Sequence, residues 1–129
     1  MPEYGSDGAA CFDFYAAEEV KIGPGKTELV PLGFAVGIIE GWEMRIRPRS
    51  GMSLKTGLRV ANAPGTVDSD YRGEVSVILH NTTGETKIIQ PGDRVAQGSC
   101  HRVERTHFTF VQQLSPTDRG EGGFGSTGS

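Results

Sequence analysis

The stretch Asn62-Ala-Pro-Gly-Thr-Val-Asp-Ser-Asp-Tyr-Arg-Gly-Glu74 lies between two short apolar runs, Leu58–Ala61 and Val75–Leu79. Turn-forming residues bounded by strand-like runs read as a tight β-hairpin. The hairpin carries an amide (Asn62), a carboxylate (Asp68) and an aromatic ring (Tyr71). That set suits a shaped slot for a flat ligand with an acid beside it. A plainer reading stands next to it. Aspartate favours turns because its side chain bonds nearby backbone, so Asp68 and Asp70 also read as turn acids. Asn62 also reads as a strand-end turn residue, and Tyr71 as a half-buried strand aromatic.

The rest of the chain continues in short apolar runs punctuated by turns. Lys21–Lys26 reads as a turn, Thr27–Val30 and Gly33–Ile39 as strands, and Glu40-Gly-Trp42 as another turn. In Glu43–Arg47, Met44 and Ile46 alternate with charges, which means one face buried and one wet. Val75, Val77 and Leu79 share a face of the return strand. Thr86–Ile89 is a short strand, Pro91-Gly-Asp93 a turn, Gly92–Gln97 a turn entering a strand, and His107–Leu114 an alternating strand. No segment sustains a 3.6-residue apolar period. With 19 glycines and 7 prolines spread along the chain, the pattern predicts an all-β domain. The one helical turn expected is Gly51–Thr56, with Ser50 as its N-cap. There Arg49, Ser50 and Gly51 offer a guanidinium, a hydroxyl and bare backbone. This reads as a phosphate cradle or, equally, as a capped short helix beside a surface arginine.

From Ser115 onward apolar residues thin out and glycine rises, which divides the chain into a β-barrel domain, 1–114, and a mobile C-terminal arm, 115–129. The arm lacks the lysine and the context of a P-loop. It carries one ring, Phe124, and one arginine, Arg119, in flexible glycine. That reads as a linker-like tail or as a lid that closes on a nucleotide.

Bulk properties narrow the function. A chain of 129 residues fits one domain and is long enough to bury about two-thirds of its unfolded surface. The net charge of −3 argues against a nucleic-acid binder but leaves room for a small anion held by a few placed arginines. Cys11 and Cys100 form no CxxC pair, and His80, His101 and His107 have no zinc spacing, so the thiols read as small buried residues. No apolar run approaches a membrane span, and Met1-Pro-Glu-Tyr4 is no signal peptide. A cytoplasmic protein with no membrane partner is expected.

Five blocks together resemble the trimeric dUTP pyrophosphatase (dUTPase) family: Ala10-Cys-Phe-Asp-Phe-Tyr-Ala16, Pro48-Arg-Ser-Gly-Met-Ser53, Asn62 to Gly73, Gly92-Asp-Arg-Val-Ala-Gln97 and Arg119 to Gly128. Their order and spacing are the family's, and they span nearly the whole chain. The resemblance implies a jelly-roll-like β-barrel assembled as a homotrimer, with active sites between subunits and the arm closing over them. It implies dUTP as substrate and Mg²⁺ as cofactor, the ion held mostly by triphosphate oxygens and waters. Asp68 would be the general base. Asn62, Thr66, Val67, Tyr71, Ser76 and Phe124 would bind uracil and deoxyribose. Arg49, Ser50, Gly51, Gln97, Arg119, Gly125 and Ser126 would bind the phosphates, and Asp13 would touch the metal weakly through water.

Three departures from the family pattern set further expectations. Cys11 stands where the family has glycine, and a positive φ there would distort the surroundings of Asp13. Gly98-Ser-Cys100 replaces apolar residues, so looser or wetter packing is expected. A strand that the family places ahead of Pro2 is missing, so edge pairing and trimer stability are expected to differ. The rival readings are a dCTP deaminase or bifunctional deaminase of the same fold, a non-catalytic nucleotide-binding protein, and a structural jelly roll. The deaminase needs a positioned glutamate, and Val75–Leu79 has none.

Overall fold

The computed structural model describes residues 1–128. They form the strands β1 (Glu3–Tyr4), β2 (Phe12–Tyr15), β3 (Val20–Ile22), β4 (Thr27–Pro31) and β5 (Trp42–Arg47), then a short helix α1 (Ser50–Thr56). The strands β6 (Leu58–Val60), β7 (Gly65–Val67), β8 (Ser76–Asn81), β9 (Lys87–Ile89) and β10 (Arg94–Arg102) follow. One sheet has the order β1-β2-β10-β5-β7, a second β4-β8-β6, and a third is the pair β3-β9. Sheet neighbours are distant in sequence, as β2 against β10 and β4 against β8 show. This is the winding of a jelly-roll-like barrel.

The alternation in the sequence determines which side chains meet inside. Met44 and Ile46 of β5 and Val77 and Leu79 of β8 point into one core with Phe14, Val30 and Val95. Burial of that apolar face is the main force holding the sheets together. Asn81, at the end of β8, is the polar exception. Its Nδ2 donates to the carbonyls of Ile22, Gly23 and Glu85, and its Oδ1 accepts from the N–H and hydroxyl of Thr83. A fully buried amide is tolerated because every polar atom is paired.

The fold corrects several expectations. Residues 62–74 are not a tight hairpin. β6 and β8 are neighbours, but the chain between them makes a long excursion in which β7 crosses to the other sheet and pairs with β5, Val67 opposite Met44. Gly65 permits this approach, since a Cβ there would stand 3.3 Å from Ile46 Cβ. Residues 33–39 keep an alternating burial pattern but form no strand, because their backbone finds a partner only at the start, where Val75 N–H donates to Phe34 O at 2.9 Å. Residues 107–114 are not a strand either and stand exposed, Phe110 completely so. Lys21 and Ile22 belong to β3 rather than to a turn. The N-cap of α1 is Arg49, not Ser50, and no side chain caps the helix.

The departures from the family pattern also resolve. Cys11 does not take a positive φ; among the described non-glycine residues only Phe124 does. Gly98 is packed tightly rather than loosely. A Cβ there would lie 2.5 Å from Phe14 Cζ and 2.6 Å from Phe12 Cε2. The short β1 lies at the edge of its sheet and pairs with β2, Glu3 opposite Asp13.

Candidate active site

Three adjacent strands build the first cluster. Gln97 of β10 stands opposite Asp13 of β2 on one side and Arg47 of β5 on the other. Two residues past β5, Arg49 leads into α1. Asp13 accepts from both neighbouring arginines, with Oδ1 3.3 Å from Arg49 Nε and Oδ2 3.4 Å from Arg94 Nη1. Gln97 Nε2 donates to Pro48 O at 3.0 Å, which ties the entry of α1 to β10. Arg49, Ser50, Gly51 and Gln97 are thus brought together, joined by Arg94. Gly51 has open space where a Cβ would stand, so internal packing does not demand glycine there. Bare backbone at an uncapped helix start, with two arginines beside it, suits an anion with several oxygens.

The second cluster is the excursion between β6 and β8. Thr66 and Asp68 are exposed while Val67 between them is buried, as strand alternation requires. Because β7 leaves for β5 while β8 stays with β4 and β6, the backbone parts between them, with Asn62 and Ser76 flanking the gap. Asp68 lines a cavity with Trp42, Glu43, Arg72 and Arg105. The turn after it is locked from within. Arg72 Nη1 donates to Ser69 O at 2.7 Å and Tyr71 O at 3.0 Å. Tyr71 Oη donates to Glu74 O at 2.9 Å. Gly73 lies under the tyrosine, since a Cβ there would meet Tyr71 Oη at 2.5 Å.

The two clusters do not meet within one chain. Met44 opposes Val67, which puts Asp68 level with Glu43, whereas Arg49 follows the other end of β5. Six extended residues separate those ends, about 20 Å at strand rise. The arm is apart from both. Its hydrogen bonds are internal, such as Arg119 Nε to Gly122 O at 2.7 Å and Ser126 N to Gly123 O at 3.0 Å. Phe124 is fully exposed with φ +51°, a left-handed conformation that costs about 1 kcal/mol. Arg119, Phe124, Gly125 and Ser126 therefore reach neither cluster in this conformation. Ser129 lies outside the described residues.

Among the described residues no three His, Cys, Asp or Glu side chains converge as a metal cage. Asp13, given a water-mediated metal contact in the sequence reading, has its carboxylate between two arginines. The residues present do not fit a magnesium ion held by the protein itself. No helix among the described residues is long and apolar enough to cross a membrane.

Sequence reasoning missed Arg94, Arg72 and Glu74. Arg94 became legible only once β10 was registered against β2. Arg72 and Glu74 stood inside the quoted turn, but their roles depend on which backbone atoms they reach.

The dUTPase family model matches residues 1–128. The chain is 52% identical over 128 residues to the deoxyuridine 5'-triphosphate nucleotidohydrolase of Wolinella succinogenes, covering 99% of this chain and 86% of that one. It is 45% identical to the enzyme of the same name from Helicobacter pylori strain 26695, covering 99% and 88%. The fold superposes on the Staphylococcus bacteriophage 80alpha dUTPase with dUPNHPP at a TM-score of 0.91, with 26% identity, over 100% of this chain and 92% of that chain. The dUTPase of phage phi11 of S. aureus, which coordinates a structural Mg(II) ion, matches at a TM-score of 0.80 and 25% identity, over 88% and 90%. Likeness of sequence across the whole chain and likeness of fold agree, and the chain belongs to the dUTPase family.

Proposed function

We propose that this chain hydrolyses dUTP to dUMP and pyrophosphate, which limits uracil in DNA and supplies dUMP for thymidylate synthesis. The observation that carries this reading is the family match from residue 1 to 128, with the acid, the ring and the arginines of the five blocks all present.

Asp68 takes a proton from a water as that water's oxygen attacks the α-phosphorus. The bond from that phosphorus to the bridging oxygen breaks, and pyrophosphate leaves. Uracil enters the gap between Asn62 and Ser76, where the Asn62 amide and the backbone around Thr66 and Val67 meet O4, N3–H and O2. Cytosine exchanges donor and acceptor on that edge, and each buried mismatch costs about 1–3 kcal/mol. The 5-methyl of thymine clashes with backbone. Tyr71 packs on the deoxyribose and leaves no room for a 2′-hydroxyl. Arg49, Ser50, Gly51 and Gln97 hold the phosphates.

The separation of Asp68 from Arg49 along β5 supports a site completed between copies, and a homotrimer serves that need. The arm, 115–129, closes over the site. There Phe124 stacks on uracil, and Arg119, Gly125 and Ser126 reach the phosphates, excluding water and strengthening the polar contacts inside. Asp13 keeps Arg49 and Arg94 aligned between turnovers. Magnesium travels with the triphosphate, and no step is routed through it.

Pyrophosphate release from dUTP, dTTP, dCTP and UTP in parallel tests the reading, with Asp68→Asn as control. Turnover confined to dUTP, and reduced about 10²–10⁴-fold in Asp68→Asn with dUTP still bound, is expected. Ammonia release from dCTP would move the chain to the deaminase branch, and binding without turnover would make it a nucleotide-binding protein.

A further inference from the structure

We propose that Glu74 is a positioning residue that sets the sugar-facing pose of Tyr71, and through it the preference for deoxyribose over ribose. The inference rests on the reading that Tyr71 packs on the deoxyribose.

Glu74 faces two ways. Its carboxylate Oε1 accepts the backbone N–H of Gly33 at 2.8 Å, a bond to the loop after β4 and 41 residues away in sequence. Its own carbonyl accepts Tyr71 Oη at 2.9 Å. The next residue completes the tie, because Val75 N donates to Phe34 O at 2.9 Å and Leu32 N to Val75 O at 3.1 Å. The carbonyl that holds the tyrosine is therefore fixed by three bonds to residues 32–34.

The anchor itself is rigid. Gly33 has φ +76°, and a Cβ there would lie 3.1 Å from Ala17 Cβ. Only glycine takes that conformation without strain, and a side chain would also crowd Ala17. At the other end, Gly73 has no Cβ because the Tyr71 ring occupies that space. Within Tyr71-Arg-Gly-Glu74 the ring, the glycine beneath it and the glutamate that holds its acceptor form one device. Arg72 adds the bonds that close the turn on the Asp68 side.

A ring that must exclude one hydroxyl has to be held to within a fraction of an ångström. The tyrosine is exposed and has no packing of its own to do this. The tether to Glu74 supplies the constraint that packing does not.

The test compares kcat and KM for dUTP and UTP in the wild type, Glu74→Ala, Glu74→Gln and Tyr71→Phe. Glu74→Ala is expected to lower the dUTP-to-UTP ratio of kcat/KM about tenfold, mainly through KM for dUTP. Glu74→Gln keeps an oxygen that accepts from Gly33 N–H and should hold the ratio within about threefold of the wild type. Tyr71→Phe removes the donated bond without touching Glu74 and should lower the ratio in the same direction. Combining Tyr71→Phe with Glu74→Ala should lower it no further than the larger single effect. Equal losses for both substrates in Glu74→Ala would mean general loosening and would overturn the proposal. So would an unchanged ratio in Tyr71→Phe, a readout that stands even where Glu74→Ala does not fold. The wild type is read first. No turnover of dUTP there overturns the function and this inference together, whereas dUTP turnover with an unchanged ratio in the variants overturns the inference alone.

Discussion

Replacing Gly98 by alanine should destabilise the protein by about 3 kcal/mol. The added Cβ would stand 2.5 Å from Phe14 Cζ and 2.6 Å from both Phe12 Cε2 and Phe14 Cε2. Carbon atoms in contact prefer about 3.5–4.0 Å, so the overlap is about 1 Å with three ring atoms at once. Phe14 is fully buried and cannot swing into solvent. It packs edge to face on Phe12 at 5.4 Å and stacks on Phe34 at 6.0 Å, so any shift passes along a row of rings. Overpacking a core costs about 1–3 kcal/mol, and a ring held on both sides belongs at the upper end. For a chain of this length that is about a 10 °C fall in melting temperature. Urea and thermal unfolding would measure it, with Gly84→Ala as the control, since a Cβ there meets nothing within 4 Å. Phe14→Leu in the Gly98→Ala background should recover part of the loss. A Gly98→Ala protein within about 0.5 kcal/mol of the wild type would refute the reasoning, because it would show that the rings yield freely.

Asn81→Ala should cost about 3 kcal/mol in the same unfolding assay, because the carbonyls of Ile22, Gly23 and Glu85 lose their donor together. Removing residues 119–129 should leave the melting temperature within about 1 °C, since the hydrogen bonds of that segment are its own. The same truncation should lower pyrophosphate release from dUTP at least about tenfold; loss of the oligomer on truncation, read by sedimentation, would count against the lid. Chelating divalent metal should stop turnover but leave the melting temperature of the nucleotide-free protein unchanged, because no three-donor cage exists among the described residues. A fall in melting temperature would point to an ion bound by the protein.

Periodicity reads short-range facts well. Met44 and Ile46 inside with Arg45 between them, and Val75, Val77 and Leu79 on one face, follow from the two-residue repeat of a strand, which sequence carries directly. The same repeat in residues 33–39 and 107–114 predicted strands that did not form. Alternation records which side chains want burial, but a strand also needs a backbone partner, and these segments have almost none in a single chain. The hairpin expectation failed for a related reason. The local sequence called for a turn, whereas β7 was drawn across to β5 by a pairing that no short window contains.

The candidate site divides in the same way. The identities of Asp68, Tyr71, Arg49 and Gln97, the glycines around them and the family they belong to were legible in the order and spacing of five blocks, because chemistry selects residue types and a chain order survives as text. Tertiary structure alone decided that Asp13 lies between Arg49 and Arg94, that Gly98 carries two phenyl rings, and that Glu74 ties Tyr71 to Gly33. It alone decided that Asp68 and Arg49 stand at opposite ends of β5. Each of these depends on strand register between segments distant in sequence. Register is chosen by the summed burial of the whole core, a quantity that belongs to the folded chain and to no single stretch of it.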